Sequence, residues 1–110
     1  MIELIIKKHL EKKLKVPVYL EMQKNMPCSF VIFEKTSGGR KDLINSATFA
    51  FQSYGSSMYN AAKLNEELKE AVFELNWSDE VGGVKLNSDY NFTDITTKRY
   101  RYQAVFDITY

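Results

Sequence analysis

Apolar residues recur at helical spacing from the start of the chain. Ile2, Ile5, Ile6, Leu10 and Leu14 share one broad face, and Glu3, Lys7, Lys8, Glu11 and Lys12 lie largely opposite. That 3.6-residue repeat predicts an amphipathic helix over 2–14. Pro17 ends it, because proline lacks a backbone donor and biases Val16 towards extended geometry. Val16, Val18 and Leu20 then alternate with Pro17, Tyr19 and Glu21, which predicts a short strand whose proline favours an edge or a strand start. Asn25-Met26-Pro27 reads as a turn.

Cys28 to Thr36 reads as the next strand. Phe30, Val31, Ile32 and Phe33 place apolar side chains on both of its faces, so the strand is expected to be central or covered by a partner. Ser37-Gly38-Gly39-Arg40-Lys41-Asp42 is expected to break it as a charged loop, and Leu43 to Tyr54 resumes as a strand, the two forming an antiparallel hairpin. Ser57 stands as N-cap before a second helix, Met58 to Leu75, with Ala61, Leu64, Leu68, Ala71, Val72 and Leu75 within about 100° of one another. Tyr59, Ala62 and Phe73 fall beside that stripe, among Glu66 and Lys69, and leave two rings needing cover. Val84 to Phe92 forms a strand entered through Gly82-Gly83, and Thr93 to Thr97 a polar connection. Arg99 to Tyr110 closes the chain with strict alternation: Tyr100, Tyr102, Ala104, Phe106, Ile108 and Tyr110 on one face, Arg101, Gln103, Asp107 and Thr109 on the other. The expected architecture is one α+β domain over 1–110, in the order α-β-β-β-α-β-β. An antiparallel-rich sheet of four to five strands carries both helices on one face.

Composition narrows the function. A formal charge of +1 leaves no long-range field to attract nucleic acid or an anionic membrane, so any polyanion contact must come from a local patch. Cys28 is the single cysteine, which excludes an internal disulfide and fits a reducing compartment. The first residues carry no signal-peptide pattern, and no stretch approaches the roughly 20 apolar residues of a membrane span; a cytoplasmic origin is the expectation. Seven Tyr, seven Phe and one Trp exceed the usual aromatic share, and such rings serve both cores and interfaces.

Candidate chemistry is sparse. His9, the only histidine, lies within the apolar face of the first helix without a Cys, Asp or Glu at ligand or triad spacing, and reads as a packed structural residue. Cys28 reads as a buried, inert thiol. Ser37-Gly38-Gly39-Arg40 is not a phosphate loop, since its glycines lead into a strand rather than a helix. Glu66, Glu67, Glu70 and Glu74, interleaved with Lys63 and Lys69, read as a solvated helix face. No catalytic, cofactor-binding or metal-binding set can be named. Two basic clusters remain: Arg40-Lys41, and Lys98-Arg99 with Arg101. Both are ordinary solvated charge or a patch facing nucleic acid or an acidic protein.

The order of these features resembles a known family. An amphipathic N-terminal helix leads to Val16-Pro17-Val18-Tyr19 and then to Pro27-x-x-Phe30-Val31. The Gly38-Gly39 loop follows, then Phe49-Ala50-Phe51-Gln52-Ser53-Tyr54-Gly55 running into a Ser-capped helix, and finally Arg99-Tyr100-Arg101-Tyr102-Gln103-Ala104. Across nearly the whole chain this resembles the tail-terminator or tail-completion (head–tail joining) proteins of long-tailed bacteriophages and prophages. The resemblance implies a virion structural protein, not an enzyme and without cofactor. Such a protein caps the tail tube, ends its polymerisation and mediates head–tail joining. It also implies a hexameric ring on the tube, with further copies of itself, the tail tube protein and the head–tail connector protein as partners. No membrane takes part, and contact with DNA in the channel is at most nonspecific. Assembly would take place in the bacterial cytoplasm, with the product at the head–tail junction of the virion. On this view Tyr59, Ala62 and Phe73 are candidates for the subunit interface. Gly38, Gly39, Arg40 and Lys41 are candidates for the tube or channel contact, and Lys98, Arg99 and Arg101 for a basic patch. Two alternatives stand beside it: a head-side connector or minor capsid protein, and a small nucleic-acid-binding α+β domain.

Overall fold

In the computed structural model, which describes residues Met1–Tyr110, helix α1 (Ile2–Lys13) is followed by strands β1 (Val18–Tyr19), β2 (Phe30–Lys41) and β3 (Ile44–Tyr54). Helix α2 (Met58–Phe73), a 3-10 turn (Glu74–Trp77), and strands β4 (Gly83–Asn91) and β5 (Arg101–Thr109) complete the chain. One sheet holds the strands in the order β1-β2-β3-β5-β4. Only the two-residue edge pair β1–β2 is parallel; the other pairs are antiparallel. The fold is therefore the expected α+β arrangement.

Local chemistry sets the element ends. Leu14 is extended, and its amide caps α1 on the carbonyl of Leu10. Pro17 lies on the β1 edge and cannot donate, yet its carbonyl accepts from the Val31 amide at 3.0 Å. The Ser57 hydroxyl accepts from the Asn60 amide at 3.1 Å and so caps α2. Gly55 permits the tight entry into that helix, because a Cβ there would collide with the backbone of Asn60 and Ala61.

The core lies between the helices and one face of the sheet. Ile6 and Leu10 from α1 and Leu68 and Val72 from α2 meet Phe33, Phe49, Phe51, Phe106 and Ile108, all buried. Phe33 stacks on Phe51 with centroids 5.2 Å apart, and Phe51 meets Phe106 edge-on at 5.8 Å. Each such ring contributes on the order of 1.5–3 kcal/mol by leaving water.

Several boundaries differ from expectation. The segment Ser37–Asp42 is not a loop: β2 stays paired with β3 as far as Lys41↔Ile44, with one irregularity between Lys35 and Ser37. Glycine propensity predicts a break, but β3 is held from its other side by β5 and supplies a full set of hydrogen bonds for the arm. The turn falls instead at Asp42 and Leu43, with φ of 52° and 69°, the positive-φ pair of a tight two-residue hairpin turn. Helix α2 stops at Phe73, two residues early, and tightens into the 3-10 turn. The strand expected around Val16–Leu20 shrinks to Val18–Tyr19.

Candidate interaction surfaces

Side chains alternate across a pleated strand, so the registers place a second set of residues on the face away from the helices. Ile32, Gln52, Gln103 and Tyr90 stand side by side across β2, β3, β5 and β4. Gln52 Nε2 donates to Gln103 Oε1 at 2.9 Å, and Gln103 Nε2 donates to the Tyr90 hydroxyl. Further along, the Thr48 hydroxyl donates to Asp107 at 2.7 Å. Across these rows the face is tied together by side-chain hydrogen bonds.

At the end of the sheet near Tyr54 the rings return. Phe30 and Tyr54 stack at 4.3 Å and are buried, and Tyr19 meets Phe30 edge-on. The Arg101 guanidinium lies 4.4 Å from the Phe92 ring centre and 5.8 Å from that of Tyr54. Its Nε donates to the Phe92 carbonyl at 2.7 Å and its Nη1 to the Tyr54 hydroxyl at 2.9 Å. Arg99 lies over the same tyrosine at 5.2 Å. No carboxylate reaches ion-pair distance of Lys98, Arg99 or Arg101. The structure thus brings the three predicted basic residues to one corner, where Lys98 and Arg99 border a groove of about 240 Å³ together with Cys28, Phe30 and Tyr54. Stacked guanidinium and unneutralised charge suit an anionic or planar group. Asp94, in the turn that precedes β5, is held below the usual carboxylate range, first by the Thr97 side chain and amide, then by the Thr96 amide and the nearby charge of Arg101.

The three predicted ridge residues do not form one patch. Tyr59 is 73% exposed and lines a shallow groove with Ala62 and Tyr102. Phe73 lies farther along α2 and packs edge-on against Phe106 at 5.3 Å, so the chain's own core takes up this ring. Between them, Lys69 bridges Glu66 and Asp89. The Asp89 hydrogen bond, then that of Glu66, raises the Lys69 pKa above its ordinary value. Asn65, buried beside it, also donates to Asp89, at 2.6 Å.

Gly38, Gly39, Arg40 and Lys41 lie in the β2 half of the hairpin arm, all exposed. Beyond Ile32 the outer edge of β2 carries no further strand, since β1 pairs only with Val31 and Ile32. Leu43 and Ile44 at the tip are 82% and 54% exposed.

His9 is half-buried, and its Nε2 bonds the Ala71 carbonyl at 2.7 Å, tying α1 to α2. Cys28 is exposed rather than buried, because Phe30, not Cys28, opens β2 and the preceding turn stands clear of the core. No three His, Cys, Asp or Glu side chains gather at metal-binding spacing. No helix is long and apolar enough to cross a membrane.

Sequence reasoning missed Phe92 and Tyr54 as partners of the arginines, and it missed the apolar tip. The first had a readable signal: Phe30 and Ile32 on the second face of β2 showed that this face also needs cover. The tip had none, because the glycines suggested a loop and hid the turn. No model of a protein family matches the chain, and no curated protein matches it.

Proposed function

We propose that this protein is a phage or prophage tail terminator, a virion component that caps the tail tube, ends its polymerisation and joins tail to head through protein–protein contacts. One observation carries the reading: two unlike exposed surfaces, an arm and a shallow groove, sit towards opposite ends of β3. The hairpin arm precedes Ile44, whereas Tyr59, Ala62 and Tyr102 form their groove beyond Tyr54, at the other end. A head-to-tail ring needs two different patches on each subunit, and the motif order in the sequence supports the same reading. In this scheme Tyr59 and Ala62 meet a neighbour, whereas Phe73 belongs to the monomer.

The test is genetic and structural. A phage lacking this protein is expected to make tails of uncontrolled length that fail to join heads; normal tails joined to heads would end the proposal. Recovery of the product in purified heads rather than tails would favour the head-side connector alternative. Tyr59→Asp is expected to leave the monomer folded and to block assembly, because an unpaired carboxylate is costly to bury in an interface.

The corner of Lys98, Arg99 and Arg101 favours a second reading, a small nucleic-acid-binding domain that uses stacked arginines and rings. It requires salt-sensitive binding to DNA or RNA that Arg99→Ala and Arg101→Ala weaken. No binding at low salt removes it.

A further inference from the structure

A groove with both apolar and polar lining opens on the face of the sheet away from the helices. It holds about 280 Å³ and is lined by Leu20, Met22, Ile32 and Ala50 together with Glu21, Glu34 and Gln52. Neither glutamate has a basic partner within ion-pair distance. Leu20 and Met22 stand partly in solvent.

The hairpin tip is its chemical complement. Leu43 and Ile44 are uncovered apolar side chains, and Arg40 and Lys41, just before the turn, likewise have no acidic partner. Two apolar side chains beside Arg40 and Lys41, with Asp42 the one carboxylate of the turn, face a partly apolar floor beside Glu21 and Glu34, the charge balance of a complementary interface. Leu43 also occupies a left-handed conformation, φ 69°, where hairpin turns ordinarily use glycine or asparagine. A leucine kept there at a conformational cost points to a role for its side chain.

The tip cannot fill its own groove. Nine residue steps along β2 lead from Ile32 to Lys41, a span of about 30 Å at roughly 3.3 Å per residue. A tip seated in this groove therefore comes from another copy, and every copy supplies one tip and one groove.

We propose that the Leu43–Ile44 tip of one copy seats in the Leu20–Met22–Ile32 groove of a second copy, with Arg40 and Lys41 facing Glu21 and Glu34. The contact rests on the ring reading above, and it assigns the Gly38–Lys41 arm to a neighbouring subunit instead of the tube.

Leu43→Gly separates folding from contact, because Asp-Gly is a favoured pair for this turn. Its thermal midpoint is expected to equal or exceed that of the parent chain. Self-association of the full chain, followed by sedimentation velocity from micromolar to millimolar concentration, is expected to weaken about tenfold or more, as for one leucine left unburied. Glu34→Lys and Lys41→Glu are each expected to weaken association, and the double exchange to restore it. A benzophenone-bearing amino acid at position 43, irradiated in solution and in assembling cells, is expected to label residues 20–34 of a second copy. Unchanged association in Leu43→Gly overturns the proposal. So does labelling of another protein or another region, or a chain that stays monomeric and forms no such adduct in either setting. A closed pair instead of a ring supports the contact and counts against the terminator reading. Normal association combined with normal tails in the deletion phage sinks the terminator reading and leaves the contact standing.

Discussion

Phe49 and Phe51 are fully enclosed under the helices, whereas Tyr90 and Phe92, on or beside the other face of the same sheet, keep about two fifths of their surface in water. The first pair is held by neighbouring rings and aliphatic side chains. Phe92 is held edge-on by Tyr90 and by the Arg101 guanidinium, and Tyr90 by a glutamine ladder. Burial under α1 and α2 is non-directional and strong. The second face relies on directional contacts that contribute less but leave polar groups available to a partner. Stability is therefore expected to reside mainly on the enclosed face, with the open face contributing less to it.

The sharpest attempt to break that division is a pair of truncations. Phe106→Ala, in the enclosed layer, should cost about 3–5 kcal/mol, measured by urea unfolding. Phe92→Ala, at 39% exposure, should cost under about 1.5 kcal/mol. Equal losses would mean that the second face is core as well. Gly55→Ala comes next. The new methyl would meet the backbone of Asn60 and Ala61, and a loss of about 1–3 kcal/mol is expected for overpacking, with the start of α2 losing hydrogen-exchange protection first.

Arg101→Ala probes the second face directly, because it removes two hydrogen bonds and two ring contacts. A loss of about 1–2 kcal/mol is expected, with Arg101→Lys recovering little, since an ammonium cannot keep the planar fork. The smallest effect concerns pH. The Lys69 pKa is raised, chiefly by Asp89, so the folded state holds that proton more tightly than the unfolded chain. Its stabilisation is fully present below the ordinary value of 10.5 and is lost as the pH rises through the higher folded-state value. On the alkaline side, the stability advantage over Lys69→Met should therefore persist until strong alkali. An advantage that faded between pH 5 and 8 would contradict the Lys69–Asp89 link.

Much of the enclosed face was legible before any coordinates. Helical spacing in Ile6, Leu10, Leu68 and Val72, and alternation in Ala104, Phe106 and Ile108, report burial on one side. The ridge on α2 was legible as a position but not as a surface: helical angle alone grouped Phe73 with Tyr59, although Phe106 covers only the former. The corner of Lys98, Arg99 and Arg101 was visible as charge, but its stacking on Tyr54 depends on a strand 45 residues or more away in sequence and has no local signature.

Periodicity and capping determined the elements, their order and the buried stripe, because those follow from side-chain spacing within a few residues. Tertiary structure alone decided that the Gly38–Lys41 segment stays a strand, that Phe73 turns inward, and that an apolar tip and a distant groove remain open on one chain. Those outcomes depend on which long-range neighbour covers a residue, and the pairing of β3 with β5 supplies or withholds that neighbour far from the residue itself.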